Sequence, residues 1–331
     1  MTAYEKLQHA LKRRPRKWLV TGAAGFIGSH LIETLLRLNQ RVVGLDNFAT
    51  GCAANLNDVR ANVTVAQRRA FRFIEGDITN AKDCQRACRG VELVLHQAAL
   101  GSVPRSFADP LGTHAPNTTG FLNVLQAARK AKAQRVVYAS SSSVYGDVKS
   151  SPKVESITGT LLSPYAVSKM VDELYAQVFS SGYGQELVGL RYFNVFGPRQ
   201  DPAGAYAAVI PRWTQNLLLN RPTEIYGDGK TSRDFCYVAN VVQANLLAAT
   251  DKAAVGNVYN VAVGTRATLN ELHRQLRKLT GSKTKPVYQE FRAGDVRHSL
   301  ASICAATRDL GYAPTHTLEQ GLALTVPWFV R

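Results

Sequence analysis

The sequence has no apolar run approaching the ~20 residues that a membrane-crossing helix needs, so no transmembrane helix is expected. Residues 1–17 have no apolar signal core, and the expected location is cytoplasmic. Only five cysteines occur, Cys52, Cys84, Cys88, Cys236 and Cys304. Their number is odd and their spacing pairs nowhere with a second Cys or His cluster, so neither a disulfide framework nor a metal site is expected. There is no internal repeat and no low-complexity linker. Acidic residues are scarce: 24 Asp and Glu stand against 40 Lys and Arg, a net charge of +16. The basic residues are spread widely, with one dense cluster at residues 12–17. That cluster reads as a solvated lead-in to the first strand, and no nucleic-acid or membrane partner is expected. The charge favours an anionic small molecule.

What is present is an alternation of strand and helix signals. Residues 17–21, 41–46, 71–77, 91–99, 135–140 and 187–193 read as buried strands, and residues 26–38 have helical apolar spacing. Strands separated by helices form βαβ units and a doubly wound parallel α/β sheet. After Phe196 the elements shorten and loops intervene, which predicts a smaller C-terminal α/β substrate-binding domain. The expected division is 1–195 and 196–331, with 236–260 returning to the first domain.

Gly22-Ala23-Ala24-Gly25-Phe26-Ile27-Gly28 follows the first strand and opens the first helix of that sheet. In this context the glycines form a phosphate cradle of the Rossmann type. One permits a tight turn, one lets backbone approach a pyrophosphate, and one lets helix and strand pack closely. The helix N-terminus offers free N–H groups, here at Phe26 and Ile27. Asp46 ends the second strand, where a carboxylate accepts from the adenosine ribose hydroxyls and repels a 2′-phosphate. The predicted cofactor is therefore NAD, with Asn47, Asp77 and Ile78 bordering the adenosine.

Ser163-Pro164-Tyr165-Ala166-Val167-Ser168-Lys169 reads as a helix start, with Ser163 as N-cap and Pro164 in the first turn. Tyr165 and Lys169 then share one face, one turn apart. An ammonium beside a phenol favours the phenolate, a base suited to a sugar hydroxyl.

These motifs resemble the extended short-chain dehydrogenase/reductase family from Trp18 to Trp328, and within it the bacterial UDP-N-acetylglucosamine 4-epimerases. The likeness is carried by Gly44-Leu45-Asp46-Asn47-Phe48-Ala49-Thr50-Gly51, by residues 96–106, by Arg191-Tyr192-Phe193-Asn194-Val195-Phe196-Gly197, by Thr231-Ser232-Arg233-Asp234-Phe235-Cys236-Tyr237 and by Gly294-Asp295-Val296-Arg297-His298-Ser299. The resemblance implies that Tyr165 is the catalytic acid and base and that Lys169 binds the nicotinamide ribose. It implies an active-site serine at Ser141, with Ser142 and Ser143 beside it. It assigns Gln97, Ala98, Ala99 and Tyr192 to the cofactor. It assigns Ser102, Asn194, Ala208, Val209, Arg233, Asp295 and Arg297 to the UDP-sugar. Cys304 would be a small gate residue leaving room for an N-acetyl group.

The implied reaction is C4 epimerisation of a UDP-sugar through a 4-keto intermediate. A related dehydratase would carry an Asp-Glu pair where this chain has Ser142 and Ser143. UDP-glucuronate and UDP-N-acetylglucosaminuronate 4-epimerases remain competing readings, and a non-catalytic nucleotide-binding regulator is the remote one. The resemblance also implies a homodimer paired through a long helix over residues 106–132, into which Gly112 and Pro116 intrude.

Overall fold

The computed structural model describes residues 1–203, 207–291 and 297–330. Seven strands form one sheet: β1 Lys17–Thr21, β2 Arg41–Asp46, β3 Phe71–Glu75, β4 Leu93–His96, β5 Arg135–Ser141, β6 Glu186–Tyr192 and β7 Val258–Val261. Their order is β7-β6-β5-β4-β1-β2-β3, and every neighbouring pair is parallel. The chain winds one way from β1 to β3 and then crosses to β4 on the other side. That reversal opens a crevice beyond the C-terminal ends of β1 and β4.

Both faces are covered, which is why the strands read as continuous apolar runs. Trp18 and Val20 point to one face, where they pack with Leu31, Leu35, Val188, Val241 and Leu246. Leu19 points to the other, among Val43, Val94, Phe121, Val136 and Phe179. A separate cluster of Phe196, Ile210, Trp213, Ile225, Leu272, Leu276 and Leu322 gathers later parts of the chain.

Five helices frame the crevice and its surroundings: α1 Ala3–Arg13, α2 Phe26–Arg37, α3 Phe121–Lys130, α4 Pro164–Tyr183 and α5 Val238–Thr250. α1 leads into the basic cluster, whose residues 12–15 are exposed ahead of β1. Thr2 and Glu5 form a capping box at its start, Lys12 and Arg13 sit at its basic C-terminal end, and Leu11 is buried. α5 is buried almost throughout, and its polar residues are paired: Asn240 with Thr315 and His316, Gln243 with the Ala313 N–H.

The long helix expected over residues 106–132 is broken. Val103–Ala108 ends at Asp109, whose carboxylate accepts from the Gly112 N–H (2.8 Å) to start Pro110–His114. Pro116 then lies in a π-helical turn, Ala115–Gly120, before α3 resumes. A proline ring excludes an α-helical bond to the residue four back, and the wider turn accommodates it. Two strands also stop short of the sequence reading, at Glu75 and His96. There the backbone leaves the ladder to line the crevice.

Candidate active site

A cavity of about 610 Å³ fills the crevice, lined among others by Gly22, Gly25, Phe26, Ile27, Gly28, Asp46, Asn47, Asp77, Ile78, Gln97, Ala98 and Ala99. Two glycines there have no tolerance for a side chain. Gly22 has φ +68°, and a Cβ on it would meet the Ala98 nitrogen at 2.8 Å. A Cβ on Gly28 would meet the Gly22 carbonyl oxygen at 2.0 Å. The turn is thus pressed against the strand ends, and the start of α2, with no side-chain cap at Gly25, faces the cavity's edge. Uncapped N–H groups at a helix start suit a pyrophosphate.

Asp46 is held by the Ala24 N–H (2.9 Å) and the Phe48 N–H (2.7 Å), and burial pushes its carboxyl up from the usual range. Its lone pairs exceed those two bonds, leaving acceptor capacity for ribose hydroxyls. Asn47 donates to Asp77 (2.8 Å), tying the ends of β2 and β3 together at the adenosine end. The donor and acceptor set, the cradle and the cavity fit a dinucleotide.

The serine run divides by direction. Ser140 donates to Glu173, which also holds Arg191 through two bonds of 2.9 and 2.7 Å. Ser140 is therefore committed to a buried network. Ser141 ends β5, and its Oγ accepts from the Ser143 N–H (3.1 Å), capping the turn Ser142–Tyr145. Ser143 Oγ is buried without a hydrogen-bond partner among the described residues. That turn packs against α4.

Ser163 caps α4 through the Ala166 N–H (3.1 Å), which puts half-buried Tyr165 in the first turn. Lys169, one turn on, is buried and donates to the Ala139 carbonyl (3.0 Å) and to Asp172 (3.1 Å). Ser168 accepts from Asn117 (3.1 Å), whose side chain also bonds both backbone groups of Leu100 (2.7 and 3.1 Å). Asn117 lies in the π-helical turn and clamps the β4 exit loop to α4. Sequence reading missed it. The signal available was Pro116 beside a polar residue inside an otherwise helical stretch.

Tyr192, at the end of β6, donates to Gln97 (2.9 Å) and accepts from Asn245 (2.8 Å), while Gln97 donates to Asn245 (3.1 Å). This closed ring joins β6, α5 and the cavity wall, and burial pushes the Tyr192 phenol well up.

The residues expected on the substrate side come from distant segments. Strand Ser232–Arg233 pairs with Ala267–Thr268 and with His298–Ser299, which brings Arg233 and Arg297 together: Arg233 Nη1 donates to the Arg297 carbonyl (3.3 Å). Asn194 donates to the Asp234 carbonyl (2.9 Å), linking this small sheet to the end of β6. Arg297 pairs with Asp228 (2.7 Å) and lies over Phe291, 5.4 Å from its ring centre. Ala208 precedes helix Val209–Leu218, which has no side-chain cap. Ser102, at φ +100°, caps Val103–Ala108 through the Arg105 N–H (3.3 Å). Asp295 lies outside the described residues.

Cys304 is not drawn into this group. It is exposed at the start of helix Cys304–Leu310, which packs on β7 and α5. The residue paired with Arg233 is Ser299, five positions earlier, in the two-residue strand that follows Arg297.

A profile of the NAD dependent epimerase/dehydratase family matches residues 18–262. The chain belongs to this family. NAD is its cofactor. The UDP-glucose 4-epimerase of Mycolicibacterium smegmatis is 36% identical over 313 residues, covering 94% of this chain and 97% of that one. The solved UDP-N-acetylglucosamine 4-epimerase from Methanobrevibacter ruminantium M1, in complex with UDP-N-acetylmuramic acid, superposes with TM-score 0.88 at 36% identity, covering 96% and 98%. The UDP-glucuronic acid 4-epimerase from Bacillus cereus, with UDP-glucuronic acid and NAD, gives TM-score 0.86 at 31% identity, covering 95% and 99%. These family members differ in the sugar they are named for, and each match covers at least 94% of this chain.

Proposed function

We propose that this protein, a UDP-sugar 4-epimerase by kinship, interconverts UDP-N-acetylglucosamine and UDP-N-acetylgalactosamine. The observation that carries the sugar is Ser299. A small, half-buried side chain stands beside Arg233, where a bulky ring would take the space of an N-acetyl group.

NAD, held by the glycine cradle and Asp46, would supply reversible hydride transfer at C4. Tyr165 removes the C4 hydroxyl proton and later returns it, with Ser141 sharing the hydrogen bond to the sugar oxygen. Lys169 supplies the positive charge that favours the phenolate. Arg233 and Arg297 hold the diphosphate as the keto sugar turns, and Asn194 and the Val209 N–H add donors. Ser142 and Ser143 offer no carboxylate for loss of water at C5 and C6, so the chemistry stops at epimerisation.

A homodimer completes the reading. Val167, Leu174 and Val178 are exposed in one stripe of α4, and Leu111 and Phe107 are exposed on the two short helices packed against it. A second copy of this stripe is its natural cover.

The test is parallel incubation with UDP-N-acetylglucosamine, UDP-glucose, UDP-glucuronate and UDP-N-acetylglucosaminuronate. The galacto epimer should form fastest from the first. Preference for a uronate would replace the neutral sugar, and salt-sensitive RNA binding without any epimer would favour a binding module.

A further inference from the structure

Asp172 is 1% exposed, one turn beyond Lys169 on α4. One carboxylate oxygen accepts from the Lys169 ammonium at 3.1 Å, and the other has no hydrogen-bond partner among the described residues. A structural carboxylate in a buried site is normally satisfied on both oxygens. Here one side is spent on the lysine the proposed mechanism depends on, and the other is left bare. The same ammonium also donates to the Ala139 carbonyl, two residues before Ser141.

We propose that Asp172 is a positioning residue that holds the Lys169 ammonium at the end of β5 and offsets part of its charge. The positive charge felt at Tyr165 then grows whenever Asp172 takes up a proton. This rests on the reading of Tyr165 and Lys169 as the proton-transfer pair.

The charges packed around the pair set its working range. Burial first, then neighbouring Glu173, push the Asp172 carboxyl up against the pull of Lys169, to about 7 on balance. From β5, Tyr138 feels the charges of both Asp172 and Glu173, and that of Arg191 on β6. From β4, His96 feels Lys169, and burial with that charge holds its ring neutral, down to about 3. Glu173 is bound to Arg191 (2.7 Å), so its charge is offset by that guanidinium, while the charge of Asp172 is set against Lys169 itself. As pH falls, Asp172 becomes neutral and Lys169 acts on Tyr165 at full charge. The phenolate is then better supported under the acidic conditions that would otherwise protonate it.

The experiment uses the NAD-loaded full-length protein and Asp172→Asn, whose amide oxygen still accepts from Lys169 but carries no charge. With the UDP-sugar that the wild type turns over, the acidic limb of the kcat profile should move to lower pH by about half to one unit. KM should stay within about twofold. A second readout needs no sugar: phenolate absorbance titrated against Tyr165→Phe as the blank should shift by the same amount. An unmoved limb and an unmoved absorbance curve in a folded variant overturn the proposal and leave Asp172 a packing residue. If the wild type epimerises no UDP-sugar, the proposed function fails, while the absorbance titration still decides Asp172. If the variant does not fold, the wild-type absorbance curve decides. Two coupled steps support the proposal, and a single step overturns it.

Discussion

Tyr165 is fixed by a cap and a proline rather than by tertiary packing. The Ser163 hydroxyl and Pro164 start α4 one residue before it. Tyr165→Phe keeps that start and removes only the acidic hydroxyl. Turnover should fall by about 10²–10⁴-fold, with bound NAD retained on gel filtration and denaturing release. Ser299→Tyr should lower kcat/KM for UDP-N-acetylglucosamine by at least about tenfold more than for UDP-glucose. Cys304→Tyr should alter both alike, because that side chain is exposed on the helix packed against β7 and α5. Comparing the two variants on both sugars checks whether the gate is Ser299. The resemblance points to Cys304, whereas the strand pairing puts Ser299 beside Arg233, so the two variants separate the two candidates.

Among the elements, α2 and α4 carry the most. Gly28→Ala places a methyl on the Gly22 carbonyl oxygen, so α2 must back away from β1. The purified variant should lose bound NAD, read as loss of the cofactor absorbance, along with a lowered Tm. The outer face of α4 carries the stripe of the proposed dimer. Leu174→Arg places a charge in the exposed Val167–Leu174–Val178 stripe, and if the proposed dimer forms there, light scattering should report a dimer for the wild type and a monomer for the variant. The strand and helix alternation is legible because buried parallel strands and amphipathic helices leave local periodicities. The ends of β3 and β4 are overread: residues 76–77 and 97–99 leave the ladder and line the cavity, and local pattern does not separate that from strand continuation. The broken helix at residues 109–120 is flagged by its proline and glycine. The π-helical turn that resolves it required the partners of Asn117.

At the scale of the whole molecule, buried ionisable groups set the response to pH. His96 is 1% exposed, its Nδ1 is 2.8 Å from the Thr21 hydroxyl, and burial lowers its titration to about 3. An unfolded histidine titrates near 6.5, so His96 contributes stability that is present above that pH and lost as pH falls towards 3. The loss approaches about 1.4 kcal/mol per pH unit once pH is well below 6.5. Asp234, which accepts from the Val263 and Gly264 N–H groups, is pushed up to about 6 by burial, so its own contribution runs the other way and weakens as pH rises from about 4 to 6. Urea unfolding of His96→Gln should show a shallower loss of stability between pH 6.5 and 5 than the wild type. An equal slope would remove His96 from the account.

The sequence by itself determined whatever depends on near neighbours: the turn that Gly22 and Gly28 permit, the acid ending β2, the one-turn spacing of Tyr165 and Lys169, and the parallel α/β class. These are consequences of backbone geometry and helical period. Tertiary structure decided what depends on residues far apart in the chain. It tied Ser140 to Glu173, 33 positions away, and left Ser141 as the candidate proton partner. It brought Arg233 beside Arg297, paired Ser299 with Arg233, and joined Asn117 to Ser168. It also buried Asp172 against Lys169 with one oxygen unpaired. Such pairings are chosen by how elements pack and by which buried polar atoms find partners, and no local pattern encodes that choice.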